Sequence, residues 1–92
     1  MVRCMNEKKK EIFNEKEASK YNIGDLIDFV AGMNQYKKYD IRCAIIIDKY
    51  IGLDNSLLAF RIWFDVSCDG VIYKRVGVNR IAKLIASSQG EE

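Results

Sequence analysis

The amino-acid sequence predicts a mostly β domain that follows a charged helical arm. From residue 21 onward, apolar and polar residues alternate with a period of two, which is the period of a strand with one buried face. Residues 41–52 form a β-branched run, and Asp69-Gly70 separates two further apolar runs, as in a tight hairpin. The chain is 49% apolar and 30% charged, a composition that favours folding over disorder.

The N-terminal arm, residues 1–20, carries the excess positive charge, with six Lys or Arg against four Glu. Residues 6–20 predict a helix, because Asn6 can cap its start and the Glu, Lys and Ala residues favour helical backbone. Its apolar residues Ile12 and Phe13 are adjacent and give no repeating stripe. The helix is therefore expected either to dock, on its own domain or on a neighbouring subunit, or to fray into a tail.

Residues 21–86 predict short strands separated by turns, and residues 87–92 predict a polar tail. The first four strands are expected at residues 23–32, 41–52, 57–66 and 71–79. Residues 80–86 favour either a short helical turn or a last strand. The segment 33–40 is polar and aromatic and is too long for a tight turn, so it is expected to be a loop.

The expected core follows from the apolar face of each strand. It consists of Ile27, Phe29, Ile45, Ile47, Phe60, Ile62, Phe64, Val66, Ile72, Val76, Val78 and Leu84. For the second strand the alternative set of Ala44, Ile46 and Tyr50 gives almost as apolar a face.

The register of the last hairpin decides which side chains share a face. A two-residue loop at Asp69-Gly70 would place the core residue Phe64 opposite Arg75. A three-residue loop that begins at Cys68 instead pairs Trp63 with Arg75 on the outer face. We expect the three-residue loop, because its inner face is apolar apart from Lys74 opposite Phe64, and the stem of that lysine can extend to solvent.

The order of these elements resembles that of the small SH3-like barrel proteins of tailed bacteriophages. The stretches that carry the resemblance are "IGDLIDF", "AIIIDKY", "FRIWFDVSCDGVIYKR" and "VNRIAKLI", within residues 22–86. Related barrels often have Gly at the start of the second strand, where this chain has Arg42, Cys43 and Ala44. The resemblance implies a five-stranded antiparallel SH3-like barrel and a non-enzymatic binding or virion-assembly module.

Several kinds of site are not expected from the composition. The chain has no histidine and three cysteines, so a four-ligand zinc site would need carboxylates, and no metal or other cofactor is expected. Cys43 is expected in the core and Cys68 in an exposed turn, with Cys4 a thiol of the arm. No nucleophile with a base and no Gly-rich phosphate loop can be assembled, so we expect no enzyme and no small-molecule substrate. No apolar run is long enough for a membrane span, so no membrane partner is expected.

The first candidate site is a partner-binding face centred on Trp63. Trp, Tyr and Arg are the residues that most often dominate protein interfaces, and an arginine can stack on an indole. The candidate residues are Arg61, Trp63, Asp65, Tyr73, Arg75, Ile12 and Phe13. Two alternatives remain open: Ile12 and Phe13 cover Trp63 within one chain, or a neighbouring subunit does.

The second candidate site is the loop with Tyr36, Lys37, Lys38 and Tyr39. Aromatic residues next to basic residues can stack on bases and contact phosphates, although a solvated loop has the same composition. The folded part of the chain carries nine charges of each sign and no basic stripe, so nucleic acid is not the favoured partner.

These observations predict a structural or interaction module. The resemblance implies a phage particle protein, present in several copies in the virion at a head, neck or tail joint, with other protein subunits as partners and the host cytoplasm as its location. The alternatives are a small nucleic-acid-binding module and a regulator or inhibitor of a host protein.

Overall fold

The computed structural model describes residues 12–88, and strands make up 64% of them, so the predicted mostly β class is confirmed. The strands are β1 (Ile12–Phe13), β2 (Leu26–Met33), β3 (Tyr39–Asp54), β4 (Ala59–Cys68), β5 (Val71–Gly77) and β6 (Ile81–Ala86). A single helical turn, α1 (Glu15–Ala18), and a 3-10 turn, η1 (Val78–Arg80), complete the secondary structure of these residues. Residues 80–86 therefore supply a last strand.

All six strands form one mixed sheet, which is not closed. β4, β3, β2 and β6 lie side by side in that order, and each neighbouring pair is antiparallel. Two strands share the other edge of β4: β5 pairs antiparallel with residues 63–68, and β1 pairs in parallel with residues 60–61. The last strand therefore returns to β2, the first long strand of the chain.

The β4–β5 hairpin turns on two residues, Asp69 and Gly70, and the predicted three-residue loop is wrong. Both residues have positive φ angles, 52° and 81°, as in a type I′ turn, whose twist matches that of the flanking strands. Val66 consequently lies opposite Tyr73, and Tyr73 faces the core.

Two bulges flank the middle of β4 and change the faces of its neighbours. The first bulge is on β5 at Arg75, which has a φ angle of 55°. Phe64 of β4 therefore pairs with Val76 of β5 rather than with Arg75. A regular two-residue hairpin would place Arg75 in the core opposite Phe64. The bulge places Val76 there instead. On β3, a second bulge lies between Ile46 and Asp48. Beyond each bulge, the alternation of inward and outward side chains is reversed.

The core is formed by side chains on one face of the sheet, and Ala18 of α1 and Tyr21 pack against them. Six of the predicted core residues are buried: Ile27, Phe29, Phe64, Val66, Val76 and Val78. Ile62 is only partly buried, and five predicted core residues are exposed: Ile45, Ile47, Phe60, Ile72 and Leu84.

These five errors have identifiable causes. On β3, Ala44 lies opposite Ile27 and Ile46 opposite Val66, so these two members of the alternative face are buried instead of Ile45 and Ile47. The third member, Tyr50, lies beyond the bulge on the outer face. The two-residue turn pairs Ile72 with Ser67 and directs it outward. Phe60 lies at the start of β4, outside the part that pairs with β5, and Leu84 lies on the edge strand β6.

Within residues 12–20, the described part of the N-terminal arm, the helix extends over one turn only. Residues 1–11 lie outside the described residues, and the predicted helix is wrong for Ile12 and Phe13, which form β1. Ile12 and Phe13 give no repeating apolar stripe to a helix, whereas in the strand they lie beside Phe60 and Arg61 and point to opposite sides of the sheet. The described part of the arm docks on its own domain, where Ala18 is fully buried.

A buried carboxylate joins the start of β2 to the segment after β6. Asp25, fully buried just before β2, accepts hydrogen bonds from the backbone N–H groups of Asn22 and Ser88, both at 2.8 Å, and from the Ser88 hydroxyl at 2.9 Å. Burial alone would raise the pKa of Asp25, but these hydrogen bonds outweigh it and lower the pKa below its usual 3.8. The carboxylate thus holds the segment after β6 against the start of β2.

Candidate functional site

The far part of the β3–β4 hairpin projects from the rest of the sheet. β2 pairs with β3 only as far as Ile45, and β5 pairs with β4 only from Trp63 onward. Residues 50–62 therefore pair with each other and, along two residues, with β1. We call residues 50–62 the projecting hairpin. Its two faces differ in chemistry.

One face carries an arginine–tryptophan stack, formed by Phe13, Arg61, Trp63 and Arg75. The guanidinium carbon of Arg75 lies 4.3 Å from the centroid of the Trp63 ring, and that of Arg61 lies 5.2 Å from it. Arg61 also lies 5.3 Å from the centroid of the Phe13 ring. Trp63 is only 8% exposed. Arginine side chains of the same chain therefore cover the indole. Phe13 lies against Arg61, which in turn lies against the indole.

Hydrogen bonds fix both arginines and the indole. Arg61 Nη1 donates to Asp54 Oδ2 at 2.7 Å, in an ion pair whose side chains are 13% and 10% exposed. Arg75 Nη2 donates to the Leu53 carbonyl at 3.1 Å, and Trp63 Nε1 donates to the Gly52 carbonyl at 3.2 Å. Among residues 12–88, the buried Nε of Arg61 has no acceptor. The stack thus ties β4 and β5 to the backbone of β3.

A second carboxylate links the same three strands. Asp65 Oδ1 accepts the Tyr50 hydroxyl at 2.7 Å and the backbone N–H of Arg75 at 3.1 Å. Burial, together with this hydrogen bond to a carboxylate, raises the pKa of the Tyr50 phenol above its usual 10.0, because both favour the protonated form. Tyr50 therefore remains a hydrogen-bond donor across the neutral pH range.

Gly52 allows the indole to lie on β3. A Cβ atom at this position would be 3.0 Å from Trp63 Cδ1 and 3.1 Å from Trp63 Nε1. We expect Gly52→Ala to lower the free energy of unfolding by about 1–3 kcal/mol, the usual cost of overpacking, measured by urea denaturation. Gly32→Ala is the matched control, because a Cβ atom there meets nothing within 4 Å. Equal stability of the two variants would contradict the close contact.

The Asp54 carboxylate makes stability depend on pH. A hydrogen bond from the Ser56 hydroxyl lowers the pKa of Asp54; burial opposes this effect, and Arg61 adds to it, so that the pKa lies below 3.8. A group whose pKa is lower in the folded state stabilises that state above its unfolded pKa, and this contribution is lost as the pH falls through the folded pKa. Below about pH 4, we expect urea midpoints to fall more steeply for the native chain than for Asp54→Asn. Parallel pH profiles of the two proteins would show that Asp54 contributes nothing.

The structure brings together most of the predicted partner-binding residues. Arg61, Trp63, Asp65, Arg75 and Phe13 lie on one face of the sheet, as the distances above show. Tyr73 does not join them, so the prediction that it belongs to this face is wrong. Because the hairpin turns on two residues, Tyr73 faces inward and packs edge-on against Phe29, with 5.2 Å between the two ring centroids. The binding role of the assembled residues remains a prediction.

Sequence reasoning missed several members of this face, namely Tyr50, Gly52, Asp54 and Asn79. Asn79 is the acceptor for Arg61 Nη2 at 3.5 Å. The available signal was the alternation of Tyr50, Gly52 and Asp54, three residues with no large aliphatic side chain, within an otherwise apolar strand. This alternation predicts the outer face only when the bulge near Ile47 is known, because the bulge shifts these three residues to that face.

The opposite face of the projecting hairpin is apolar and open. We call Ile51, Leu53, Phe60 and Ile62 the apolar hairpin face; Ile51 lies opposite Ile62, and Leu53 opposite Phe60. Ile51 is 56% exposed and Leu53 46%, whereas Ile62 packs against the core. Half-buried Ile12 lies beside Phe60 at its margin. This face carries no charged side chain and continues the core beyond the compact part of the sheet.

The second candidate site forms a short, braced loop at residues 34–38 between β2 and β3. The Asn34 side chain accepts the backbone N–H groups of Tyr36 and Lys38 at 2.9 and 3.0 Å. Tyr36 is 73% exposed and Tyr39, at the start of β3, is 66% exposed. Lys37 and Lys38 are exposed as well. The predicted loop residues are therefore presented to solvent together, on a segment shorter than expected.

The cysteines occupy the reverse of their expected positions. Cys43 is exposed, because it lies opposite Asp28 on the outer face, and Cys68 is buried because it faces the core. Cys4 lies outside the described residues. Within residues 12–88, no group of three His, Cys, Asp or Glu residues is placed to hold a metal ion. Over the same residues, no helix is long and apolar enough to cross a membrane.

Comparisons of the chain with protein-family models, with curated proteins and with solved structures gave no match. The resemblance to SH3-like barrel proteins of phages therefore remains a prediction from the sequence.

Proposed function

We propose that this chain is a non-enzymatic protein-interaction module that binds its partner through the projecting hairpin. The observation that carries the proposal is the apolar hairpin face, on which aliphatic side chains about half exposed lie side by side without a charge. Contiguous apolar surface of this kind usually marks an interface, whereas single exposed apolar residues need no explanation. The turn at the tip adds Leu57, 45% exposed, and Leu58, 83% exposed.

The arginine–tryptophan stack supports this role by making the hairpin rigid. A two-stranded hairpin is marginally stable without other packing. Here Trp63 and Arg75 donate hydrogen bonds to carbonyl groups of β3, and Arg61 is held by Asp54 within the hairpin itself. A surface that is already ordered loses little conformational entropy on binding. The stack thus holds the apolar hairpin face ready for a partner.

We further propose that the domain is an SH3-like barrel. What supports this is the succession of four antiparallel strands, a 3-10 turn and a last strand that returns to the first. A strand order of β5, β4, β3, β2 and β6, together with the bulges that bend β3 and β5, is consistent with a strongly curved sheet. Within this proposal, the role implied by the resemblance is that of a virion assembly protein, with other particle subunits as partners.

Site-specific photocrosslinking tests the docking surface. A photoreactive side chain at Leu58 in the hairpin tip is expected to give covalent adducts in the native source. The same side chain at exposed Lys83 on β6 is the matched control and is expected to give none. Adducts that form equally at both positions, or at neither, would refute the hairpin as the docking surface. A particle role further predicts that the adduct is found in purified particles.

The braced loop favours a second candidate function, the binding of single-stranded nucleic acid. Its support is the joint exposure of Tyr36 and Tyr39 beside Lys37 and Lys38, because exposed rings can stack on bases while lysines contact phosphates. Such binding would weaken steeply as salt is raised. If no oligonucleotide binds even at low salt, this candidate is excluded.

A further inference from the structure

We infer that the partner of the projecting hairpin is a second copy of this chain, joined by antiparallel pairing of the two β3 strands about a twofold axis at Gly52. This inference rests on the proposed function, since it assigns an occupant to the same surface. It is carried by three features of β3: a free strand edge, an apolar face beside that edge, and a distribution of charge that suits self-pairing.

The free edge is the side of β3 that faces away from β4. On that side β2 pairs with β3 only as far as Ile45, and the backbone of Ile46 exchanges hydrogen bonds with Gly24 and Asp25. From Tyr50 to Asp54, no strand within residues 12–88 pairs with this edge. Unpaired strand edges are ready templates for pairing with another chain. The edge lies directly beside Ile51 and Leu53 of the apolar hairpin face.

The side chains of β3 suit pairing with a copy of themselves. When Gly52 lies on the axis, Ile51 faces Leu53 of the second copy, and Tyr50 faces Asp54 of the second copy. No like charges then lie opposite each other. A register centred on Ile51 would instead place Asp48 opposite Asp54 of the second copy, and such a pair of like charges is destabilising. Each copy contributes the same patch to this twofold interface, so the assembly is complete with two copies.

The contacts of the arginine–tryptophan stack are compatible with this pairing. Trp63 and Arg75 already donate to the carbonyl groups of Gly52 and Leu53. A carbonyl oxygen has two lone pairs and can accept a second hydrogen bond. Pairing of the edges would place the two apolar hairpin faces next to each other on one side of a joined sheet. Each face would then bury part of the other where Ile51 meets Leu53 of the second copy. Main-chain hydrogen bonds would then supply affinity, and the Ile51–Leu53 contacts would supply register.

Sedimentation of the full chain over a range of concentrations tests the inference. We expect a reversible dimer for the native chain and for Ile41→Lys, and a dimer at least about tenfold weaker for Leu53→Lys, because each substitution occurs twice across the axis. Ile41 is the matched control, since it is 53% exposed on a distant part of β3. Thermal unfolding of both variants checks that they fold. A native chain that stays monomeric, or equal weakening by both substitutions, would overturn the inference.

Disulfide crosslinking tests the register in a chain with Cys4→Ser and Cys43→Ser. Ile51→Cys combined with Leu53→Cys should give a covalent dimer on oxidation, because residues directly opposite lie within bridging distance. Leu53→Cys alone should crosslink far more slowly, since it does not face its own copy; equal rates would refute a twofold axis at Gly52. The mass of the photoadduct at Leu58 separates the two proposals. Twice the chain's 10.6 kDa indicates self-pairing, whereas an adduct with another protein supports the proposed function and rejects the dimer.

Discussion

Replacing Trp63 with alanine is expected to lower the free energy of unfolding by about 3–5 kcal/mol, the usual range for removing a large buried aromatic side chain. The substitution removes the ring on which the guanidinium groups of Arg61 and Arg75 lie, 5.2 and 4.3 Å from its centroid. It also removes the hydrogen bond to the Gly52 carbonyl. Urea denaturation followed by circular dichroism measures the loss, because the variant has no tryptophan to report it.

Two control variants separate the parts of this effect. Trp63→Phe keeps an aromatic ring beside the arginines and loses the indole N–H, so its cost should be closer to about 1 kcal/mol. Tyr36→Ala removes an aromatic ring that is 73% exposed and should change stability little. If Trp63→Ala is no more destabilising than Tyr36→Ala, the stack does not hold the hairpin in place.

Replacing Asp25 with alanine is expected to cost about 1–3 kcal/mol, because it leaves the N–H groups of Asn22 and Ser88 without their acceptor in a partly buried site. The segment after β6 would lose both hydrogen bonds from Ser88 to Asp25, and amide hydrogen exchange near Ser88 should accelerate. Asp40→Ala is the control, because Asp40 forms an exposed ion pair with Arg42 and such pairs contribute little. Equal stability of the two variants would contradict a structural role for Asp25.

Much of the fold could be predicted from the sequence because it depends on local patterns. Alternation identified the four long strands, and the Asp69-Gly70 pair identified the last hairpin. The errors arose where one residue changes the alternation. The bulges near Ile47 and Arg75 shift every later side chain to the other face, and no composition signal distinguishes a bulged residue from its neighbours.

The N-terminal arm shows a different limit of sequence reasoning. Its Glu, Lys and Ala residues have helical propensity, but Ile12 and Phe13 are placed by a tertiary contact with the edge of β4. A parallel pair of two residues cannot be inferred from local sequence, because its partners are 48 positions apart, as in Ile12 and Phe60. Tertiary packing thus decided the conformation where propensity was weak.

The candidate site could be predicted in part. The prediction that Trp63 and Arg75 lie together on the outer face agrees with the structure, although the predicted register was wrong. The bulge near Arg75 compensated for the error in loop length. What the sequence could not supply was the second arginine above the ring and its anchor: Arg61 is positioned by Asp54, seven residues away across the hairpin turn. The open apolar surface consequently lies opposite the tryptophan face.

The fluorescence of Trp63, the only tryptophan in the chain, gives the most direct test of the central claim that its own arginines cover it and leave the opposite face for a partner. The emission should be that of a buried indole, weakly quenched by acrylamide, and should stay unchanged when the protein is diluted until it is monomeric. Emission of an exposed indole at every concentration would contradict the stack. Emission that changes from buried to exposed on dilution would show that a neighbouring subunit covers Trp63 instead.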